Sequence, residues 1–132
     1  MNRTGHFGAA LLAWAPVAAL LVAAGRGSLA VPGVAIAVGL ATLPDVDLRL
    51  PFVPHRGPTH TVWFAGAVAA ACGALALPLG GAVAPTVNPA TVAGAAGATA
   101  VLGHVAADGL TPAGVDPVYP FGRRLSLSVV DA

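Results

Sequence analysis

The chain has 132 residues, of which 57% are hydrophobic and 8% charged, and its six arginines and five aspartates give a formal net charge of +1. A soluble domain is about 25% charged, so this composition excludes a soluble globule, a disordered chain and a nucleic-acid binder with a basic face. The single Cys72 excludes a disulfide framework and a thiolate zinc cluster, and the sequence therefore predicts an integral membrane protein.

Apolar segments of the required length predict the fold in chain order. We expect an all-α integral membrane protein with about four transmembrane helices in one bundle, forming a single domain over residues 1–132. The predicted spans are residues 7–24, 28–43, 59–77 and 90–107. Pro16 is expected to kink the first span, and the Pro/Gly-rich segment Pro78–Pro89 supplies the turn between the last two. The proline-rich tail from Asp108 is expected to be irregular.

The arginines predict the orientation of these spans. With four spans, one face of the membrane carries five arginines and the other carries Arg26 alone; the five are Arg3, Arg49, Arg56, Arg123 and Arg124. The positive-inside rule then places both termini in the cytoplasm of a multi-pass plasma or inner membrane protein. An alternative is that the N-terminal apolar run, with Val22-Ala23-Ala24 before Gly25, is a cleaved signal peptide.

All four histidines and three of the five aspartates fall at the same predicted membrane face. The set comprises four histidines and three aspartates: His6, His55, His60, His104, Asp45, Asp47 and Asp108. Ionisable residues at membrane depth are costly, so they indicate a functional site by default.

Each local motif also has a simpler structural interpretation. His104 and Asp108 share one helical face at i, i+4, which suits two ligands of one metal but also a core histidine bonded to a helix-end aspartate. Asp45-Val46-Asp47, if extended, points one carboxylate to each side, or it ends a helix after Pro44. In the segment HRGPTH, Pro58 and Thr59 can simply start the third helix, with Thr59 as its cap.

Taken together, seven imidazole and carboxylate groups exceed the needs of one metal ion. A catalytic zinc takes three protein ligands and a water, so the inventory suits either two ions or one ion with orienting partners and a general base. Nitrogen and oxygen ligands without thiolate favour a divalent metal, Zn²⁺ first, with Mn²⁺ or Fe²⁺ as alternatives.

Three motifs carry a family resemblance over nearly the whole chain: LPDVD from Leu43, HRGPTHT from His55 and HVAADGLTPAGV from His104. With the early His6 and the closing Pro120-Phe121, they resemble the predicted membrane-bound metal-dependent hydrolases, also described as LexA-regulated, inner-membrane-associated hydrolases of the YdjM type. The resemblance implies a multi-span protein and a metal-dependent hydrolase. By looser analogy, the ligand set is similar to that of zinc-dependent phospholipase C.

The hypothesis that follows is hydrolysis of a phosphoester or ester at the cytoplasmic membrane face, acting on a lipid-like substrate, with no nucleic acid as partner. The metal would be held by His60, His104, Asp108 and one or both of Asp45 and Asp47. His6 or His55 would complete a second site or act as the base. The predicted catalytic residues are Asp45, His55 and Arg56, with Arg56 as an oxyanion clamp or a membrane anchor. The alternative is a non-catalytic metal-binding membrane protein, such as a carrier, a sensor or a partner-binding protein.

Overall fold

The structure, a computed structural model, describes residues 2–80 and 86–130. These residues form four α-helices: α1 Arg3–Ala23, α2 Ala30–Gly39, α3 Val62–Ala76 and α4 Pro89–Gly109. Short 3₁₀ helices flank them at Gly27–Leu29, Leu43–Arg49, Pro58–His60 and Leu77–Leu79. Four helical segments of this described part are long and apolar enough to cross a membrane, which confirms the predicted all-α membrane fold.

Polar caps set where the helices begin, and two of these starts differ from prediction. The Asn2 side chain accepts a hydrogen bond from the Gly5 amide at 2.9 Å, so α1 starts at Arg3 and includes His6, which was expected to precede the helix. Thr61, and not Thr59, caps α3 by accepting from the Phe64 amide at 3.1 Å. The first span therefore starts earlier than expected, and the third starts later.

The second predicted span is not one continuous α-helix. The second predicted span is divided, because α2 ends at Gly39 and a 3₁₀ helix follows from Leu43. Pro44 at the start of this 3₁₀ helix is compatible with helical backbone, since its missing N–H would have no partner there. Residues 81–85 of the predicted turn Pro78–Pro89 lie outside the described residues.

α4 is the central helix of the bundle, and it packs against α1, α2 and α3. Small side chains permit this close approach, as is usual between helices in lipid. The N-terminal half of α4 contributes Val92 and Ala96 to a buried apolar group. We call this group the Trp14 cluster: Trp14, Leu21, Ala30, Ala37, Val92 and Ala96. Gly33 of α2 lies directly under the Trp14 ring, where any Cβ atom would overlap the indole.

The tail after α4 folds back over the end of the bundle where α4 finishes. Val115 and Leu125 exchange two backbone hydrogen bonds, and the Leu127 amide donates to the Gly109 carbonyl at 2.9 Å. The Val62 amide at the start of α3 donates to the Pro117 carbonyl at 2.9 Å. The irregular tail thus ties the end of α4 to the start of α3.

Candidate metal centre

All seven predicted ligands lie at one end of the bundle, which we call the ligand end. α1 supplies His6, the 3₁₀ helix after α2 supplies Asp45 and Asp47, and α4 supplies His104 and Asp108. His55 and His60 come from the segment before α3. Two groups have ligand atoms within 4.8 Å of one another: His6 with His104 and Asp108, and Asp45 with His55 and His60.

Four side chains at the junction of these groups have the spacing of one tetrahedral metal site. The Nε2 atoms of His60 and His104 are 3.2 Å apart. Asp45 Oδ1 lies 3.7 Å from the first and 3.5 Å from the second, and Asp108 Oδ2 lies 3.5 and 3.6 Å from them. Ligand bonds of about 2.0–2.1 Å in a tetrahedron place the ligand atoms about 3.3–3.4 Å apart. The separations therefore fit one ion of zinc's size.

The tautomer of His104 is fixed by a backbone carbonyl. Its Nδ1 lies 2.8 Å from the Ala41 oxygen, in a position where the two atoms can form a hydrogen bond. A carbonyl oxygen can only accept, so Nδ1 carries the proton and the neutral ring has its lone pair on Nε2. Orientation of a ligating histidine by a carbonyl on its other nitrogen is the usual arrangement at metal sites.

His60 is oriented in the same way by Asp47 and Thr59. The Thr59 hydroxyl donates to Asp47 Oδ2 at 2.8 Å, so its oxygen is available to accept from His60 Nδ1 at 3.0 Å. Asp47 Oδ2 itself lies 3.3 Å from that nitrogen. His60 Nδ1 therefore also carries the proton, and Nε2 again holds the lone pair.

Two nitrogen lone pairs and two carboxylate oxygens consequently face one another at the ligand end. His60 and His104 are 0% exposed and Asp108 is 1% exposed. A cation shared by these two nitrogens and two oxygens would be stabilised by all four of them. The donor set thus fits a divalent metal ion by geometry and by chemistry.

The two aspartates of Asp45-Val46-Asp47 have different surroundings, although the segment is not extended. The segment is a 3₁₀ helix, and this still turns the two carboxylates apart. Asp45 faces the histidine pair and keeps 27% of its side chain exposed. Asp47 is buried and accepts from the Arg56 amide at 3.0 Å and from Thr59. Asp47 therefore holds the loop that carries His60, and Asp45 is the exposed corner of the site.

His6 and His55 flank the four-atom site on two sides. His6 stacks on His104 with ring centroids 3.7 Å apart, and its Nε2 is 3.8 Å from Asp108 Oδ1. Its Nδ1 is buried without a hydrogen-bond partner among the described residues. His55 is 42% exposed, and its Nδ1 lies 2.9 Å from Asp47 Oδ1. Both are placed to extend the site, and their predicted roles as ligands stay predictions.

Arg56 lies within the protein rather than at its surface. Its backbone has a φ of 60°, and its Nη2 donates to Asp108 Oδ1 at 3.0 Å. Its Nη1 donates to the Gly114 carbonyl at 2.9 Å and to the Thr111 hydroxyl at 3.3 Å. The guanidinium therefore fixes Asp108 and links it to the tail, while the predicted oxyanion clamp stays a prediction.

Residues that the sequence did not single out complete the site. The Ala41 carbonyl orients His104 and could not be found from residue type, since any residue supplies a carbonyl. The sequence predicts Thr59 as a helix cap, but its hydroxyl forms hydrogen bonds with Asp47 and His60. Gly114, with a φ of 62°, lets the tail approach closely, because a Cβ there would press on the Leu125 carbonyl.

The comparison with known families identifies the family of the chain. The profile of the YdjM inner membrane protein family matches residues 1–132, the whole chain. The chain belongs to that family. Its four apolar helices and the family description together establish a multi-pass membrane protein in a lipid bilayer. No curated protein and no solved structure matches the chain.

Proposed function

We propose that this YdjM-family protein is a metal-dependent hydrolase of a phosphoester or ester at the membrane face where the ligand end lies. The observation that carries the proposal is the pair of oriented histidines, whose Nε2 atoms face each other at 3.2 Å beside two carboxylates. A bound divalent ion would supply Lewis acidity and activate a water for attack on the substrate. Zn²⁺ is the first choice for these ligands, with Mn²⁺ and Fe²⁺ as alternatives.

The burial of the four side chains suggests how their roles would divide, with three of them as metal ligands. His60, His104 and Asp108 are almost fully buried and would be the three protein ligands of a catalytic site. Asp45, at the exposed corner, would be where water and substrate enter, and its Oδ1 can accept the proton of an attacking water. Asp47 and Arg56 would act as positioning residues, one for His60 and the other for Asp108.

The orientation in the membrane is a further part of the proposal. The ligand end lies on the side that carries five of the six arginines, which the positive-inside rule assigns to the cytoplasm. A reporter active only outside the cytoplasm, fused after Ala132, should be silent, and one fused at Ala84 should be active. Activity after Ala132 would place the site on the opposite face.

The decisive experiment measures metal content and turnover on the same purified chain. Chelator-stripped protein should be inactive on phosphoester and headgroup-ester substrates, and Zn²⁺ or Mn²⁺ should restore hydrolysis. Binding of about one ion per chain would agree with the tetrahedral set, whereas two ions would recruit His6 and His55. Equal rates for stripped and reloaded protein on every substrate would defeat the hydrolase proposal.

A specific observation also favours a second candidate, a non-catalytic metal site. Four protein ligands around one ion is the coordination of structural zinc, whereas catalytic zinc keeps one position open. Such an ion would tie together α4, the 3₁₀ helix Leu43–Arg49 and the segment before α3. Transport is less favoured, because carriers bind their ions near the membrane midplane and this site lies at one end of the helices. Metal retention without any hydrolysis would support this candidate.

A further inference from the structure

Two cavities meet beside the ligand end and differ in character. The first, of about 430 Å³, is bordered by Asp45 and by two arginines from different elements, Arg3 of α1 and Arg49 of the 3₁₀ helix after α2. The second, of about 520 Å³, is an apolar groove between α2 and α3 with α4 beneath it. Its walls include Ile36, Leu40, Cys72, Leu75, Leu79 and Ala93.

The two cavities are neighbours, because they share lining residues. Gly39 and Leu40 line both, so the apolar groove and the arginine cavity lie side by side at the end of α2. The same arginine cavity includes Asp45, which is the exposed corner of the proposed metal site. One molecule can therefore occupy the groove and the arginine cavity and still contact the edge of the metal site.

Exposed apolar side chains indicate that this opening meets the membrane surface rather than free water. Leu48, which lines the arginine cavity, is 65% exposed. Phe52 and Phe121 at the same end are 95% and 87% exposed. Apolar side chains of this size are stable at the headgroup level of a bilayer, where one side of each ring meets lipid.

We propose that the two neighbouring cavities bind one anionic phospholipid, with its phosphate between Arg3 and Arg49 and one acyl chain in the groove. Guanidinium groups match phosphate oxygens in charge and geometry. The groove contributes packing and no hydrophobic driving force, since acyl chains already lie in an apolar medium, so the charge determines which lipid is preferred. This inference rests on the proposed function and names its substrate class: a lipid whose phosphate linkage lies next to Asp45.

Matched pairs of variants test the lipid site in the full chain. Arg49→Gln removes one proposed phosphate contact, and Arg123→Gln removes the same charge from the exposed tail, outside the two cavities. Gly39→Leu fills the junction, where a Cβ meets no atom within 4 Å. Gly66→Leu is its control on α3, since that position is equally open and borders neither cavity.

Binding is measured on chelator-treated protein, so that metal and turnover do not enter the result. The purified chain is mixed with equal amounts of phosphatidylglycerol and phosphatidylcholine, and retained lipid is counted by mass spectrometry. We expect about one phosphatidylglycerol per chain, and Arg49→Gln should weaken its retention about 3- to 10-fold for a partly screened charged contact. Gly39→Leu should cause a similar loss, and the two controls should bind as the parent protein does.

Three results would overturn the lipid site: no preference for the anionic lipid, unchanged retention in Gly39→Leu and Arg49→Gln, or equal losses in the controls. Competition by glycerol phosphate as strong as that by the lipid would show a headgroup site without a chain groove.

Hydrolysis by the metal-loaded variants separates the lipid-site proposal from the hydrolase proposal. If the chain binds lipid but does not hydrolyse it, the lipid-site proposal stands and the hydrolase proposal fails. If Gly39→Leu and Arg49→Gln hydrolyse substrate at the parental rate, the hydrolase proposal stands and the lipid-site proposal fails.

Discussion

The ligand end and the Trp14 cluster use the same central helix, α4, in opposite ways. Around Trp14 the packing is close: the indole covers Gly33 so closely that no Cβ fits, and its N–H donates to the Ala30 carbonyl at 3.3 Å. Around His104, outer partners hold two imidazole nitrogens and two carboxylate oxygens at the separations of metal ligands. The first region is a close-packed apolar core, and the second is a set of polar groups placed to bind a cation.

The difference shows how a chain with so few charges can hold a polar site in a membrane. Hydrogen bonds from Thr59, the Arg56 amide and the Arg56 guanidinium fix the carboxylates from outside. The Arg56 guanidinium pairs with Asp108 Oδ1, while Asp108 Oδ2 faces the histidine pair. Variants in the two regions should therefore separate metal affinity from stability of the bundle.

The largest effect is expected from removing a proposed ligand. Loss of an outer partner of a ligand typically costs 10–100-fold in metal affinity, so His104→Ala or Asp108→Ala should cost at least about 100-fold. Metal content of the detergent-purified protein is the measurement. Asp116→Ala, which removes a carboxylate of the tail outside the two ligand groups, should leave metal content unchanged. Near-stoichiometric metal in the His60, His104 and Asp108 single variants would show that the ligand assignment is wrong.

The opposite result is expected in the Trp14 cluster. Gly33→Ala forces the indole and α2 apart, and such overpacking costs about 1–3 kcal/mol of unfolding free energy. Thermal unfolding in detergent should show this loss, while the affinity of the folded variant for metal stays at the parental value. Gly8→Ala is the control, because a Cβ there meets no atom within 4 Å. Parental stability of Gly33→Ala would contradict the close packing.

Much of the fold could be predicted from the sequence, for physical reasons. Hydropathy predicts the four spans because a bilayer admits helices of a limited length, and the structure has four such segments among its described residues. Helix starts were harder to predict: Thr59 and Thr61 are both acceptable caps, but Thr59 donates to Asp47, twelve residues before it, and Thr61 caps the helix. A contact between residues so far apart in the chain cannot be recognised from the local sequence around either threonine.

The candidate site was predictable as a set of residues but not as a geometry. Seven ionisable groups at one predicted membrane face indicated a metal site, and the structure brings all seven together. Which aspartate faces the histidine pair could not be predicted, because it depends on the 3₁₀ conformation of Leu43–Arg49. The internal partners of Arg56 were equally invisible, since they come from the tail some 55 residues later.

A third prediction tests whether the two aspartates really differ. Asp47→Asn leaves one oxygen to accept hydrogen bonds but removes the charge that faces His60 Nδ1, so metal affinity should fall about 10–100-fold, as for other outer partners. Asp45→Asn should leave the orientation of His60 intact and reduce turnover more than Asp47→Asn does. Metal affinity and hydrolysis rate are measured on both variants. An equal effect of the two substitutions on both quantities would mean that the carboxylates share one role.

The smallest effect is expected where the tail meets the ligand end. Arg56 contacts Asp108 with one Nη group and the Gly114 carbonyl with the other, so the guanidinium fork holds a ligand and the tail at the same time. Arg56→Lys keeps the charge but has a single ammonium group, and it can satisfy only one of these contacts. The loss of one hydrogen bond should lower metal affinity about 3- to 10-fold.

Arg123→Lys provides the matched control for that exchange, because Arg123 is exposed and lies outside the site. It should bind metal with the parental affinity. If Arg56→Lys also binds metal as the parent does but loses turnover, Arg56 acts on the substrate, as the sequence motif first suggested. If metal affinity and turnover fall together, Arg56 acts through Asp108. The tail would then belong functionally to the ligand end, although it follows α4 and lies outside the helices.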